Sequence, residues 1–247
     1  MSTAIVTGGS RGIGAACCRQ LAEAGHDVAF SYASNAKAAG AVVAAVEALG
    51  RRAVAVRADM ATEAGVMALF EACDAAFGAP DAVVVNAGIT GKIGKVADMS
   101  AAEIQAVMDL NVVGALLTAR ESIRRMSTER GGNGGGIVIL SSAAAWIGSP
   151  NEFVHYAASK GATSTMTLGL AKEVAREGIR VNAVAPGLID TDIHASAGAP
   201  DRAQRLAPLV PMGRTGSADE VARGVMWLLS EASSYVTGCV LPVTGGR

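Results

Sequence analysis

Short apolar runs rich in β-branched residues alternate with longer helix-periodic segments along the whole chain. AIVTGG (4–9), DVAFSY (27–32), RAVAVRAD (52–59), DAVVVNAG (81–88), GIVILSS (136–142), IRVNAVAPG (179–187) and TGCVLPV (237–243) read as strands. Between them, 11–25, 35–50, 62–78, 100–126, 152–178 and 217–230 carry helical spacing. Strands separated by helices of this length pair in parallel through crossovers. The strand runs are apolar throughout, as both faces must be when helices cover the sheet on either side. The pattern predicts one α/β domain over 1–247, built on a doubly wound parallel sheet, with no linker or composition break.

The residue totals narrow the function. The chain is 51% hydrophobic and only 4% aromatic, so its core is expected to be packed by Ala, Val, Leu and Ile. Lys and Arg number 21 against 22 Asp and Glu. With no strongly basic segment, nucleic acid is not an expected partner. No apolar run approaches the roughly 20 residues of a membrane span. The start MSTAIVTGG lacks the pattern of a secretory signal, so a cytoplasmic protein without a membrane partner is expected. Cys17, Cys18, Cys73 and Cys239 show no CxxC spacing, and the three histidines are scattered. Small buried residues fit these cysteines better than a redox pair, and no metal site is expected.

The first strand-to-helix junction reads Thr7-Gly8-Gly9-Ser10-Arg11-Gly12-Ile13-Gly14. Glycines there permit a tight turn and let backbone N–H groups approach a pyrophosphate at a helix N-terminus. The same letters fit G-x-S-x-G, the nucleophile elbow of a serine hydrolase. Ser10 would then need Asp190 or Asp192 with His194, which crowd into one late loop, and no HGGG-type oxyanion loop is present. Asp59, followed by Met60, ends the third strand, where a carboxylate can accept from an adenine amino group or simply serve the loop. Asn86-Ala87-Gly88 follows the fourth strand, where small residues admit a flat ligand or merely form a turn.

In HYAASKGA (155–162), Tyr156 and Lys160 stand four apart, on one face of a helix. They are either a surface pair or an acid/base pair. A free phenol titrates near pH 10. A nearby ammonium, or an oxidised nicotinamide, favours the phenolate and lowers that value. Ser142 ends the preceding strand, where it can hydrogen-bond a substrate carbonyl. Asn111 sits inside an apolar helical run, and its buried amide needs partners; a water linking Lys160 to solvent is one candidate.

TGGSRGIG, NAG, the helical Asn111, SSAA and YAASK, in this order, resemble the short-chain dehydrogenase/reductases over the whole chain. Pro186-Gly187 followed by Thr191, and the closing TGCVLPVTGG, fit as well. The likeness is greatest to bacterial 3-oxoacyl-carrier-protein reductases and glucose 1-dehydrogenases. It implies a Rossmann-type fold of about seven strands and hydride transfer between NADP(H) or NAD(H) and a small-molecule carbonyl or secondary alcohol. It implies a tetrad of Asn111, Ser142, Tyr156 and Lys160. Tyr156 would protonate the carbonyl oxygen, Lys160 would bind the nicotinamide ribose, and Pro186, Gly187, Ile189 and Thr191 would flank the nicotinamide. It also implies a homotetramer through helices 100–126 and 152–178, which carry small residues such as Ala157, Ala158, Gly161, Ala162 and Ser164. Two departures stand out: Val85 replaces the first amide of the usual NNAG, and Ser142 lies fourteen residues before Tyr156, with Ser141 adjacent. A nucleotide-binding sensor on the same fold would not need the tetrad.

NADP is expected over NAD. An NAD site usually ends the second strand with an acid that binds the ribose 2′-hydroxyl. Here that strand ends Phe30-Ser31-Tyr32-Ala33-Ser34-Asn35. Ser31, Tyr32 and Ser34 offer hydroxyl donors, and Arg11 can reach a 2′-phosphate from the glycine turn or remain a solvated cation. The weakly periodic stretches 89–99 and 187–216 follow strand ends and are candidate substrate walls. The second mixes Leu188, Ile193, Leu206, Leu209 and Met212 with Asp190, Asp192 and Arg202.

Overall fold

The computed structural model describes residues 2–247, apart from the side chain of His194. Seven strands form one parallel sheet: β1 (Ser2–Val6), β2 (His26–Tyr32), β3 (Ala53–Arg57), β4 (Ala82–Val85), β5 (Gly135–Leu140), β6 (Ile179–Pro186) and β7 (Val240–Val243). Their order is β3-β2-β1-β4-β5-β6-β7. The chain reverses direction across the sheet between β1 and β4, and ligands bind such sheets outside the strand ends at that point.

The helices are α1 (Gly12–Glu23), α2 (Ala36–Ala48), α3 (Glu63–Phe77), α4 (Ala101–Met108), α5 (Ala115–Met126), α6 (Ala144–Ile147), α7 (Val154–Val174), α8 (Ile193–Ser196), α9 (Arg202–Leu206) and α10 (Ala218–Leu229). They cover both faces because neighbouring strand residues point opposite ways. Val6 and Phe30 pack with Leu21 of α1 and Leu228 of α10. Ile5 and Ala29 pack with Phe70 of α3, Met126 of α5 and Val174 of α7. Cys17, Cys18 and Cys73 are buried in these two cores, whereas Cys239 is half-buried. Burial pushes the Cys17 thiol up to about 12, which keeps it unreactive.

Thr62 and Ser100 cap α3 and α4, with the full capping box at Ser100 and Glu103. Three expectations are corrected. The run 100–126 is not one regular helix: α4 and α5 join through a widened π-helical segment, Asp109–Gly114, centred on Asn111. Ala101–Met126 as a whole is long and apolar enough to cross a membrane, with a mean hydropathy of 1.2 in its most apolar window. Here it packs instead against α3, α7 and the strands β4 and β5. The stretch 187–216 is also not merely irregular, since it contains α8 and α9.

Several strands stop before their apolar runs do. β1 ends at Val6, β4 at Val85 and β5 at Leu140. Gly8, Asn86 to Gly88, and Ser141 with Ser142 leave the ladder there and turn over the carboxyl edge of the sheet.

Candidate active site

The glycine turn is assembled by backbone contacts too close for side chains. Gly12 adopts φ +51°, and a Cβ at Gly14 would lie 2.3 Å from the Gly8 carbonyl oxygen. Asn86 anchors the turn to β4 by donating from Nδ2 to the carbonyls of Thr7 and Gly8, at 2.9 and 3.0 Å. The N–H groups of Asn86 and Ala87 both donate to Thr7 Oγ1. Val85 is buried in the core behind them, so replacing the first amide of NNAG leaves the local bonding intact. No side chain caps the N-terminus of α1, and its first turn holds no acid. Its free N–H groups and the small residues before them fit a dinucleotide pyrophosphate.

An open cleft of about 1030 Å³, counting the solvent at its mouth, lies beyond this turn. Ile13, Asn86, Gly88, Ser142, Tyr156, Lys160, Pro186, Gly187, Ile189 and Thr191, all expected at the site, line it together. α7 supplies Tyr156 and Lys160 from one face. Lys160 is buried, and its Nζ donates to the Leu140 carbonyl at the end of β5, at 2.5 Å. Burial lowers this lysine to about 8, because the charged form loses hydration. Tyr156 opens onto the cleft. Its dry surroundings raise the phenol, while the Ser142 hydroxyl and the Arg202 guanidinium pull it down. The lowering expected from Lys160 is not what this arrangement produces: the ammonium lies 5.7 Å from the Tyr156 ring centroid and is turned to Leu140.

The two adjacent serines differ sharply. Ser141 is buried, donates to the Lys160 carbonyl at 3.0 Å and lies 2.8 Å from Ser164 Oγ. Ser142 is half-buried beside the phenol, and its Oγ accepts from the Ala144 N–H. Asn111 accepts from the Ile89 N–H and donates to the Ile89 carbonyl and to Ser159 Oγ, all at 2.9–3.0 Å. Its amide thus ties the loop after β4 to α7, which the expectation of a bound water had not foreseen. Its Oδ1 still borders Lys160: a Cβ on Gly88 would sit 3.1 Å from Oδ1 and 3.6 Å from Nζ.

At the far end of the glycine turn two expectations change. Ser31 is buried, and its Oγ accepts from the Gly8 N–H at 2.9 Å, so it builds the turn and its hydroxyl is closed off from the surface. The Met60 side chain, in the turn after β3, packs into the core with Val66 and Phe70 rather than toward a ligand. Arg11 and Ser34 are exposed and Tyr32 is half-buried. Asp59 is exposed with one oxygen accepting from the Ala61 N–H. Ser10 lies outside the cleft, in a shallow groove between α1 and α2. Asp192 faces Arg11 at 3.9 Å and Asp190 is exposed; the His194 side chain lies outside the described residues. A hydrolytic triad on Ser10 is therefore not favoured.

Of the expected walls, Thr90 represents 89–99 in the cleft, and 187–216 contributes only its first half, up to Arg202. Leu209 and Met212 are exposed. Three residues escaped the sequence reading. Ser159 is buried and donates to the Tyr156 carbonyl at 2.7 Å, joining Asn111 to the Tyr156 turn of α7; in the sequence it is one small helix residue among many. Arg57 pairs in register with Tyr32, and its Nε donates to the Ala33 carbonyl, beside the expected 2′-phosphate position. Arg247 lines the cleft, with no spacing to mark it.

A dinucleotide-sized turn at the switch point, continuous with a cleft holding a buried lysine and a phenol, defines a nucleotide-dependent oxidoreductase. A family model described as Enoyl-(Acyl carrier protein) reductase matches residues 8–247. An uncharacterised oxidoreductase of Escherichia coli (strain K12) is 46% identical over 247 residues, covering 100% of both chains. The structure of a short-chain dehydrogenase from Burkholderia cenocepacia J2315 in complex with NADP is 37% identical, has a TM-score of 0.90 and covers 99% of this chain and 97% of its own. That of a 3-ketoacyl-(acyl-carrier-protein) reductase from Brucella melitensis complexed with NADH is 30% identical, with a TM-score of 0.90 and coverage of 100% and 98%. The chain belongs to the short-chain dehydrogenase/reductase family and is an oxidoreductase acting on CH–OH or carbonyl groups.

Proposed function

We propose an NADP(H)-preferring reductase of small carbonyl compounds, with ketones, 3-oxoacyl groups and sugar-type carbonyls as the candidate substrates. The observation that carries this reading is the convergence of Tyr156, Lys160 and Ser142 on one cleft beside the glycine turn. Bound nicotinamide supplies or takes the hydride. In reduction Tyr156 gives the proton that completes the alcohol, and in oxidation it takes that proton back. Ser142 holds the substrate oxygen next to the phenol. Lys160 binds the nicotinamide ribose, and Asn111 positions the loop after β4 against α7. Asn86, Ala87, Gly88, Pro186, Gly187, Ile189 and Thr191 seat the cofactor's nicotinamide half, and Gly8, Ser10, Gly12, Ile13 and Gly14 seat its pyrophosphate. A nucleotide sensor without turnover would not need the tetrad, so it is the weaker alternative.

Preference for NADP(H) rests on Arg11, Arg57, Tyr32 and Ser34 around the end of β2, where no acid stands. The test is steady-state turnover of NADPH and NADH against a panel of ketones, 3-oxoacyl thioesters and aldoses. Oxidation of neither cofactor with any carbonyl would refute catalysis, and faster use of NADH would refute the preference.

A homotetramer is part of the same proposal. Val113, Leu116 and Leu168, on the helices expected to pair, are 44%, 47% and 46% exposed, and a second copy would bury them. A monomer by light scattering at micromolar concentration would refute it.

A further inference from the structure

We propose that the substrate carries a carboxylate and that Arg202 binds it, an inference that rests on the carbonyl-reductase reading above. The cleft lining contains three cationic side chains, Lys160, Arg202 and Arg247, and no Asp or Glu among the described residues. Lys160 already belongs to the catalytic group. Arg202 is not one of the tetrad, yet it is nine-tenths buried at the start of α9, where a guanidinium with unmet donors is costly.

Its surroundings hold it in place for a ligand. Glu152, outside the lining, accepts from Nη2 at 2.6 Å. The guanidinium carbon lies over the Phe153 ring, 5.4 Å from its centroid. The Phe153 and Tyr156 centroids are 6.4 Å apart, so the cation stands within a substrate's length of the phenol. Nε is buried with no hydrogen-bond partner. Glu152 takes one N–H of five, and the fork keeps donors for a second planar anion, which bidentate pairing with a carboxylate suits. Ile147, Phe153, Leu188 and Ile193 also line the cleft and fit an apolar body between carbonyl and carboxylate. Because Glu152 already offsets part of the charge, a singly charged anion is matched better than a dianionic phosphate.

A purely structural reading makes Arg202 a bolt between α9 and the start of α7. The two roles separate on charge discrimination. The cofactor-loaded protein is assayed with 4-oxopentanoate, 5-oxohexanoate and 6-oxoheptanoate, each beside its methyl ester. Wild type is expected to prefer the best acid over its ester by about tenfold or more in kcat/KM. Arg202→Gln should lower that acid by roughly thirtyfold and its ester by less than about threefold, and Arg202→Lys should recover part of the loss. Glu152→Gln should keep the preference for the acid. Equal use of acids and esters by wild type, or an equal fall for both in Arg202→Gln, overturns the inference. Calorimetric binding of hexanoate to the NADP⁺-loaded proteins is read independently of turnover. Loss of that binding in Arg202→Gln with circular dichroism unchanged supports the site, even if no carbonyl is reduced and the hydride-transfer reading falls. Hexanoate binding that is absent in wild type or unchanged in the variant overturns it.

Discussion

The two ends of the proposed cofactor groove are built differently. At the catalytic end Lys160, Ser159 and Asn111 are buried and held by bonds to Leu140, Tyr156 and Ile89. At the adenosine end Arg11 and Ser34 lie open to solvent, and the ion pair of Arg11 with Asp192 joins two exposed side chains at 3.9 Å. A dry, preorganised end yields large and specific losses when one atom is removed. A wet end distributes recognition over weak, exchangeable contacts.

The strongest test of this contrast is Tyr156→Phe. Removing one hydroxyl should lower kcat by about 10²–10⁴-fold while fold and cofactor affinity persist. Retention of more than about a tenth of the activity would reject the proton-donor role.

Titration of Lys160 comes next. This lysine, lowered to about 8 by burial, is charged below that pH and loses its charge as pH rises through it. Tyr156 is raised by its dry surroundings and keeps its proton across the same range. Reduction, measured as kcat/KM against pH, should therefore fall about tenfold per unit above roughly pH 8. A profile flat to about pH 10, where an ordinary lysine titrates, would show that its charge is not needed.

Arg11→Ala should act only on the phosphate-bearing cofactor. Exposure limits the effect to about tenfold in kcat/KM for NADPH, with NADH changed by less than about twofold. An unmoved ratio would shift the recognition to Arg57.

The smallest effect is expected at Ser31, which sequence position groups with Arg11 but structure assigns to the turn. Ser31→Ala should cost about 1 kcal/mol in urea unfolding, because the Gly8 N–H loses its acceptor, and should leave the cofactor ratio alone. A changed ratio at constant stability would return Ser31 to the ligand.

Much of the catalytic end was legible before the fold. The spacing of Tyr156 and Lys160 is a helical property, and the glycine turn is a local one. The family pattern picks Ser142 over Ser141, but the physical reason lies in the fold: consecutive residues leaving a strand point opposite ways, and the packing of α7 turns Ser141 to Ser164 and the Lys160 carbonyl. Asn111 stands out in the sequence as an amide inside an apolar helical run, but the π-helical widening around it and its bonds to Ile89 and Ser159 depend on elements 22 and 48 residues away.

The sequence by itself determined the parallel α/β architecture, because apolar runs of strand length alternating with amphipathic helices leave few other ways to bury both faces. It also determined that Tyr156 and Lys160 share one helix face, since one turn of helix is enough to place both, whereas burial decided which way the phenol shifts. Tertiary structure alone decided which side chains face the cleft. Ser31 and Met60 turn away from it, while Arg202 and Arg247 enter it. Exposure to a ligand depends on where distant segments cross, and chain order carries no record of those crossings.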